Sequence, residues 1–290
     1  ALNLIRKHKF RSLQSPLSSN NKIKNKLLEK LPFSLTEDQK SVLKTIYNNL
    51  NSKERMFRLL QGDVGSGKTI IAFFSILHVV ENGYQGALMA PTEILALQHY
   101  TFFKQYEDYL KIKICLLTSK INTADKNKTV TDIINGNVNI IIGTHAIIQS
   151  NIIYKNLRLA IIDEQHRFGV YQRLELSKKS PNTDFMVMTA TPIPRTLVLT
   201  DYGDMDISIL YNKPKNRPII KTISVSIPRM KEVIKAISRA ISKNDQIFWV
   251  CPLVKDSEKL DLAAAETRAK YLENYFPKKV ALVHGQMSSE

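Results

Sequence analysis

Short apolar runs rich in β-branched residues alternate along the chain with longer segments of helical periodicity. The alternation begins near residue 31 and continues to about residue 188. Strands that alternate with helices are typical of a parallel sheet with crossover helices on both faces, so the pattern predicts an α/β fold. The predicted strands are 56–60, 86–90, 113–117, 138–142, 157–162 and 184–188, and the predicted long helices are 69–81 and 93–109.

A basic, proline-bearing stretch at 212–218 interrupts this alternation. Its prolines fit neither a central strand nor a helix interior, so the stretch predicts a linker. The alternation then resumes, and we expect a second α/β domain that is still incomplete at Glu290. The predicted organisation is a helix and linker over 1–30, a first domain over 31–212 and a second over 213–290, with strands 222–227, 246–251 and 279–284 and helices 230–242 and 263–275.

A glycine-rich loop follows the first predicted strand and precedes an apolar helix, and it fits the pattern G-x-x-x-x-G-K-[ST]. Its glycines let successive backbone N–H groups point at phosphate oxygens, with the positive end of the helix behind them. Lys68 is predicted to reach the β- and γ-phosphates and Thr69 to bind Mg²⁺. The predicted nucleotide-binding residues are Gly62, Asp63, Val64, Gly65, Ser66, Gly67, Lys68 and Thr69.

Two adjacent carboxylates follow the apolar run 157–162. Ligands of open α/β sheets bind at the carboxyl ends of strands, so Asp163 is predicted as the metal partner and Glu164 as the base that orients the attacking water. The alternative is a solvated Asp-Glu turn. The polar pair Gln165 and His166 comes next, and beside a γ-phosphate it can report the nucleotide state to a moving element. With Lys68, these four residues form the predicted catalytic group.

The chain carries a formal charge of +16, from 42 Lys and Arg against 26 Asp and Glu. This excess favours a polyanionic partner such as nucleic acid. A composition rich in Lys, Asn and Ile, of the kind that AT-rich coding produces, is an equal alternative explanation. We expect no membrane segment, because no window of 18 consecutive apolar residues occurs, and no signal peptide. Cys115 and Cys251 lie in apolar runs and are expected to be free thiols.

The motifs together resemble a known family. Residues 163–170, Asp-Glu-Gln-His-Arg-Phe-Gly-Val, resemble motif II of the bacterial RecG family of superfamily 2 helicases, ATP-dependent enzymes that remodel branched DNA. The transcription-repair coupling translocases, which share the Pro-Ile-Pro-Arg at 192–195, are the close alternative. The other resemblances, in order, are 62–69 to motif I, 90–96 to motif Ia, 143–146 to motif Ib/Ic, 189–196 and 201–204 to an extended motif III, and 250–253 and 283–287 to the opening of the second motor domain.

The resemblance implies a RecA-like parallel sheet with helices on both faces that binds ATP and Mg²⁺, followed by an incomplete second RecA-like domain. It implies adenine recognition at 31–39, where Phe33 stacks on the purine and Gln39 offers it a donor and an acceptor. An ordinary core aromatic and an exposed glutamine are the alternatives. The residues that it places near DNA, or in coupling the ATP state to domain movement, are Pro91, Thr92, Glu93, Gly143, Thr144, His145, Thr189, Ala190, Thr191 and Arg195.

The arginine fingers of this family lie in a late motif of Gln-x-x-Gly-Arg-x-Gly-Arg character, which the 290 residues do not contain. We therefore expect nucleotide binding with little unwinding by this stretch alone, within a longer ATP-dependent DNA helicase of recombination and repair. A nucleotide- or DNA-binding fragment without turnover is the alternative. The expected partner is branched double-stranded DNA, bound by a monomer in the bacterial cytoplasm, and only the family match disfavours RNA.

Overall fold

The structure, a computed structural model, describes residues 14–18, 20–119, 121, 123–149, 152–163, 182–191, 205–212, 220–251, 258–284 and 287. The chain forms two compact units, Ala1–Arg217 and Pro218–Glu290. Most of the predicted linker at 212–218 lies outside the described residues. No helix in the described part of the chain is long and apolar enough to cross a lipid bilayer.

A parallel β-sheet forms the centre of the first unit. Its described strands are β1 (Phe57–Gly62), β2 (Gln85–Met89), β3 (Ile114–Leu117), β4 (Ile140–Gly143), β5 (Leu157–Asp163), β6 (Asp184–Thr189) and β7 (Asp206–Leu210). They lie in the order β3-β4-β2-β5-β6-β1-β7, and every pairing is parallel. The predicted α/β class and the six predicted strands are confirmed, with ends that shift by up to two residues. The pattern did not predict β7.

Helices cover both faces of this sheet. Those described in the first unit are α1 (Lys22–Lys30), α2 (Glu37–Leu50), α3 (Lys68–Val80), α4 (Glu93–Lys104), α5 (Glu107–Leu110), α6 (Thr123–Asn135) and a 3₁₀ turn (His145–Ile148). Alternate strand residues face two separate cores: Leu60 and Ile161 pack with α1 to α5, whereas Leu59 and Ile162 pack with Ile133 of α6. Both faces of the sheet are therefore buried, which explains its nearly continuous apolar strands.

The predicted helix 93–109 is wrong in its continuity, because a turn at Gln105 and Tyr106 divides it into α4 and α5. Lys104 and Glu107 form an ion pair across this turn. The change of direction buries Tyr106 and Leu110 in the same core as Phe103. The chain therefore changes direction here and buries these two side chains, instead of continuing as one straight helix.

A buried ionic cluster lies at the amino ends of β1, β5 and β6. The carboxylate of Asp184, which is fully buried, accepts hydrogen bonds from Met56 N at 2.6 Å and Gln14 Nε2 at 2.9 Å. Arg158 Nε lies 3.2 Å from the same carboxylate. Burial raises the pKa of Asp184 to about 6, against the opposing charge of Arg158. Through Gln14 the cluster attaches the segment 14–18 to the sheet.

A second buried polar cluster joins α1 to the far end of α3. Lys24 Nζ lies 3.3 Å from the Glu81 carboxylate and also contacts His78 Nδ1. Because an ammonium group only donates, Nδ1 accepts and His78 Nε2 donates to Asn51 Oδ1 at 2.8 Å. The His78 ring stacks on Tyr47, with centroids 4.7 Å apart. Burial, helped by the nearby Lys24 charge, lowers the pKa of His78 to about 3, so its ring is neutral at pH 7.

The second unit is described through two helices around a small core. The helices are α7 (Met230–Ile241) and α8 (Glu258–Glu273), and a 3₁₀ turn (Ile227–Arg229) precedes them. Ile234, Leu272 and Phe276 form the buried core. The two helices predicted for this part of the chain are confirmed, although α8 begins and ends earlier than its prediction.

The strands predicted for the second unit are wrong. The segments 222–227, 246–251 and 279–284 form no strand among the described residues. Phe248 and Val283 in these segments are 87% and 84% exposed. An apolar run becomes a strand only when a neighbouring strand satisfies its backbone groups, and these segments have no such ladder within the described chain.

Candidate nucleotide-binding site

The phosphate loop connects the end of β1 to the start of α3. Gly65 and Gly67 take left-handed backbone conformations, with φ of 77° and 92°. A side chain at Gly67 would place its Cβ 2.2 Å from Gln39 Nε2, and one at Gly62 would place its Cβ 2.5 Å from Ser66 Oγ. The tight curl of the loop therefore depends on glycine at these positions.

Polar groups of this loop converge on the amino end of α3. Lys68 Nζ donates to the carbonyl oxygens of Gly62 at 2.7 Å and Asp63 at 3.2 Å. Thr69 is half-buried in the first turn of α3. Ser66 Oγ is buried and has no hydrogen-bond partner among the described residues. An ammonium group, two hydroxyls and a helix N-terminus lie together, a donor set that suits phosphate oxygens.

Gln39 fastens α2 to the phosphate loop. Its backbone N–H donates to Thr36 Oγ1 at 3.2 Å, and its Oε1 accepts from Thr36 N at 2.9 Å, which forms a capping box. Its Nε2 donates to Ser66 O at 2.9 Å, and the side chain is 2% exposed. This bracing role was not predicted from the sequence. Phe33 and Val64, by contrast, are 47% and 69% exposed.

Asp163, at the carboxyl end of β5, is paired with a histidine that the sequence analysis missed. His99 Nε2 lies 2.8 Å from Asp163 Oδ2, and the two residues are 7% and 8% exposed. His99 lies on the buried face of α4 with Ala96 and Phe103, at helical spacing. A signal was therefore present, since a histidine on the apolar face of a helix needs a buried partner.

The predicted DNA-facing segments after β2 and β4 lie side by side. Ala90 N donates to Gly143 O at 2.8 Å, which joins the ends of the two strands. Thr144 N donates to Leu117 O at 3.3 Å at the end of β3. A Cβ at Gly143 would lie 2.1 Å from that same carbonyl oxygen, so the close approach requires glycine. His145 follows as the exposed first residue of the 3₁₀ turn.

The start of α4 adds to this rim. Thr92 is the N-cap of α4, and its side chain accepts a hydrogen bond from Leu95 N at 3.3 Å. Glu93 Oε1 accepts a hydrogen bond from Ser119 Oγ at 2.8 Å, beyond the end of β3. Pro91, Thr92 and Glu93 are half-buried. The ends of β2, β3 and β4 therefore form one hydrogen-bonded surface at the carboxyl edge of the sheet.

The sequence matches the DEAD/DEAH box helicase family over residues 36–199, which is more than half of the chain. This chain belongs to that family. The ATP-dependent DNA helicase RecG of Thermotoga maritima is 40% identical over 292 residues, which cover 100% of this chain and 37% of that protein. RecG of Aquifex aeolicus is 42% identical over 98% of this chain and 36% of that protein.

A solved structure of RecG bound to a three-way DNA junction superposes on this chain with a TM-score of 0.78 at 36% identity. The match covers 94% of this chain and 36% of that one. These similarities confirm the resemblance to the RecG family and the RecA-like fold. The chain spans little more than a third of the length of the RecG relatives that it matches.

The remaining predicted site residues lie at the end of β6 or come after β5 and β6 in the sequence. Thr189 pairs with Gln61 of β1, so it lies beside the strand that leads into the phosphate loop. Thr191 N donates to Thr189 Oγ1 at 3.2 Å, across Ala190. The predicted residues Glu164, Gln165, His166 and Arg195 lie outside the described residues.

Proposed function

We propose that this chain is the ATP-binding part of a DNA helicase motor that remodels branched DNA, such as replication forks and Holliday junctions, in recombination and repair. One observation carries the proposal. The phosphate loop and Asp163 follow strands of one parallel sheet and emerge at the same edge, in a chain that is 40% identical to an ATP-dependent DNA helicase. Ligands of open α/β sheets bind at this edge.

The helicase family implies the use of ATP, and the residues present fit Mg²⁺ as its companion. No group of three or more His, Cys, Asp or Glu side chains in the described part of the chain is arranged to hold a metal alone. Mg²⁺ typically takes one or two carboxylates besides nucleotide phosphates and water, so the oxygen donors of Thr69 and Asp163 suit it. When bound, Mg²⁺ neutralises charge that develops on the phosphates during their transfer.

The roles of the protein residues follow from this arrangement. The backbone N–H groups from Gly62 to Thr69 hold the phosphates, and Lys68 turns from the loop carbonyls to the β- and γ-phosphates. Phe33 and Gln39 form the adenine side of the site, with Gln39 acting on the loop through Ser66. Glu164 orients the attacking water, while Gln165 and His166 report the presence of the γ-phosphate.

DNA lies along the rim formed by 91–93 and 143–145. Backbone N–H groups and hydroxyls at this rim hold phosphates without reading bases, as a motor that slides requires. Thr189, Ala190, Thr191 and Arg195 link the nucleotide state to domain movement. The relative whose structure contains a three-way junction supports branched double-stranded DNA as the partner. We propose that the protein acts as a monomer in the bacterial cytoplasm, where this substrate lies.

The experiment is nucleotide binding and ATP turnover by this chain, with and without a synthetic fork. Lys68→Ala should lower nucleotide affinity at least about 10-fold, because it removes the cation that faces the phosphates. Lys44→Ala, an exposed lysine of α2, is the matched control and should change nothing. We expect tight binding with little turnover.

A chain that binds no nucleotide, or a Lys68→Ala variant that binds it normally, contradicts the proposed ATP site. Fork-stimulated hydrolysis that is lost in Lys68→Ala contradicts only the expectation that these residues lack an efficient ATPase. DNA binding should also weaken steeply with salt, because phosphate contacts release counterions. An affinity for unbranched duplex equal to that for the fork contradicts the branched substrate.

A further inference from the structure

Helix α4 joins the DNA rim to the carboxylate of the metal site. It begins at its N-cap Thr92 on the rim, and His99 lies seven residues further along, about 10 Å up the helix axis. Of the three buried residues of α4, Ala96, His99 and Phe103, only His99 is polar. That single polar group meets Asp163 at 2.8 Å.

The same helix also packs on the helix that carries the phosphate loop. The ring of Phe103 stacks on that of Phe73 in α3, with centroids 4.0 Å apart. Both rings are fully buried. Helix α4 therefore has one end on the rim and two buried contacts, one to the metal carboxylate and one to α3. Because packed interiors transmit displacements, a shift of α4 would disturb the nucleotide side of the sheet.

The hydrogen bond between His99 and Asp163 determines how this carboxylate is presented. A carboxylate accepts but does not donate, so His99 Nε2 carries the hydrogen and Asp163 Oδ2 accepts it. The bond restrains the side-chain rotation of Asp163 and leaves Oδ1 as its other acceptor. Because both partners are buried, water competes little for the bond. Partners of this kind orient metal ligands, and their loss typically costs 10- to 100-fold in metal affinity.

We propose that His99 is a positioning residue that orients Asp163 toward nucleotide-bound Mg²⁺ and couples this site to DNA bound at the start of α4. This inference rests on the proposed function, and it adds to that function His99 as a positioning residue and α4 as the helix that couples the two sites. By linkage, the coupling is reciprocal: DNA must change Mg-nucleotide affinity by the same factor by which Mg-nucleotide changes DNA affinity.

Two variants separate positioning from simple packing. His99→Leu fills the buried site but donates no hydrogen bond. In His99→Gln the amide nitrogen lies three bonds from Cβ, as Nε2 does in histidine, so the donor is retained. Tyr100→Phe changes the neighbouring residue on the same helix and serves as the control. Should His99→Leu fail to fold, His99→Asn replaces it, because its amide nitrogen is one bond too short to reach.

The measurements use ADP and a synthetic fork. ADP affinity is determined by fluorescence in Mg²⁺ and in EDTA, each with and without the fork, and fork affinity is determined with and without Mg-ADP. We expect His99→Leu to lose about 10-fold in ADP affinity in Mg²⁺ and nothing in EDTA. Both directions of the DNA–nucleotide coupling should disappear together, while His99→Gln and Tyr100→Phe behave as the unchanged chain.

Three results overturn the inference. In the first, His99→Leu keeps both the Mg²⁺-dependent affinity and the coupling. In the second, His99→Leu and His99→Gln lose both equally, which indicates packing alone. In the third, the unchanged chain binds ADP and the fork with no coupling between them. An unchanged chain that binds no ADP at all refutes the proposed function itself, so the two failures are distinguishable.

Discussion

Replacing Gly67 with alanine should test how the phosphate loop is braced against α2. Gly67 has a φ of 92°, and a Cβ there would lie 2.2 Å from Gln39 Nε2. That amide donates to Ser66 O at 2.9 Å, so it cannot retreat from the new methyl group without breaking its own hydrogen bond. Gly67→Ala therefore combines backbone strain at residue 67 with the loss of the hydrogen bond from Gln39 Nε2 to Ser66 O.

The two costs have different origins and can be separated. The left-handed conformation costs a non-glycine residue about 1–2 kcal/mol. Displacing the Gln39 amide leaves the buried Ser66 carbonyl unsatisfied, which costs about 1–3 kcal/mol more. Gly67→Ala should therefore lower the free energy of unfolding by about 2–5 kcal/mol. In a Gln39→Ala background the obstruction is already gone, and only about 1–2 kcal/mol of strain should remain.

The assay is a double-mutant cycle on the two substitutions, with urea unfolding followed by far-UV circular dichroism. Trp249 is the single tryptophan and lies in the second unit, so its fluorescence tracks that unit separately and serves as an internal control. We expect a coupling energy of about 1–3 kcal/mol. Costs that add within about 0.5 kcal/mol refute the bracing role of Gln39.

Two further predictions concern the buried polar clusters. The pKa of His78 in the folded chain is about 3, below its ordinary value of 6.5, so between these two pH values the unfolded chain binds one more proton than the folded chain. The free energy of unfolding should therefore fall as the pH drops from about 6.5 toward 3, by up to about 1.4 kcal/mol per pH unit. His78→Gln should flatten this slope in acid titrations of stability, and an unchanged slope contradicts the assignment. Arg158→Met should lower the free energy of unfolding by up to about 3–5 kcal/mol, because it removes the guanidinium that forms an ion pair with the buried Asp184 carboxylate. The exposed Arg239→Met should change it by less than about 0.5 kcal/mol, and equal effects in urea unfolding contradict the reasoning.

The sheet was predictable where burial on both faces makes a strand apolar throughout. Strands β5 and β6 are of this kind, because every residue in them is buried. Strand β7 was missed because it lies at the sheet edge and only two of its five residues are buried. One of those two is the polar Ser208, and with Asp206 it interrupts the apolar pattern of the strand. The apolar runs of the second unit predict strands wrongly, since sequence reports hydrophobicity but not whether a partner strand is available.

The site was predictable where its chemistry is local in sequence. The phosphate loop is a single motif of eight residues, so its strand, glycines and helix could be recognised together. Gln39 bonds to Ser66 over 27 positions, and His99 bonds to Asp163 over 64. Neither pairing has a local signature, because the fold alone brings these positions together. For His99, the buried helical face indicated that a partner exists but not which residue it is.

The order of the strands also sets the order in which this unit can assemble during synthesis. Strand β1, which leads into the phosphate loop, has β6 and β7 as its only neighbours among the described strands. Met56 and Asp184, which join β1 to β6, are 128 positions apart. At about 5–20 residues per second, the ribosome adds that length in roughly 6–26 s. Throughout this interval β1 lacks both of the strands that later pair with it. Helix α3, whose residues from Ile70 to Val80 are all buried in the finished unit, can meanwhile pack only on the strands already made, such as β2. The phosphate loop is thus encoded early but reaches its final shape late.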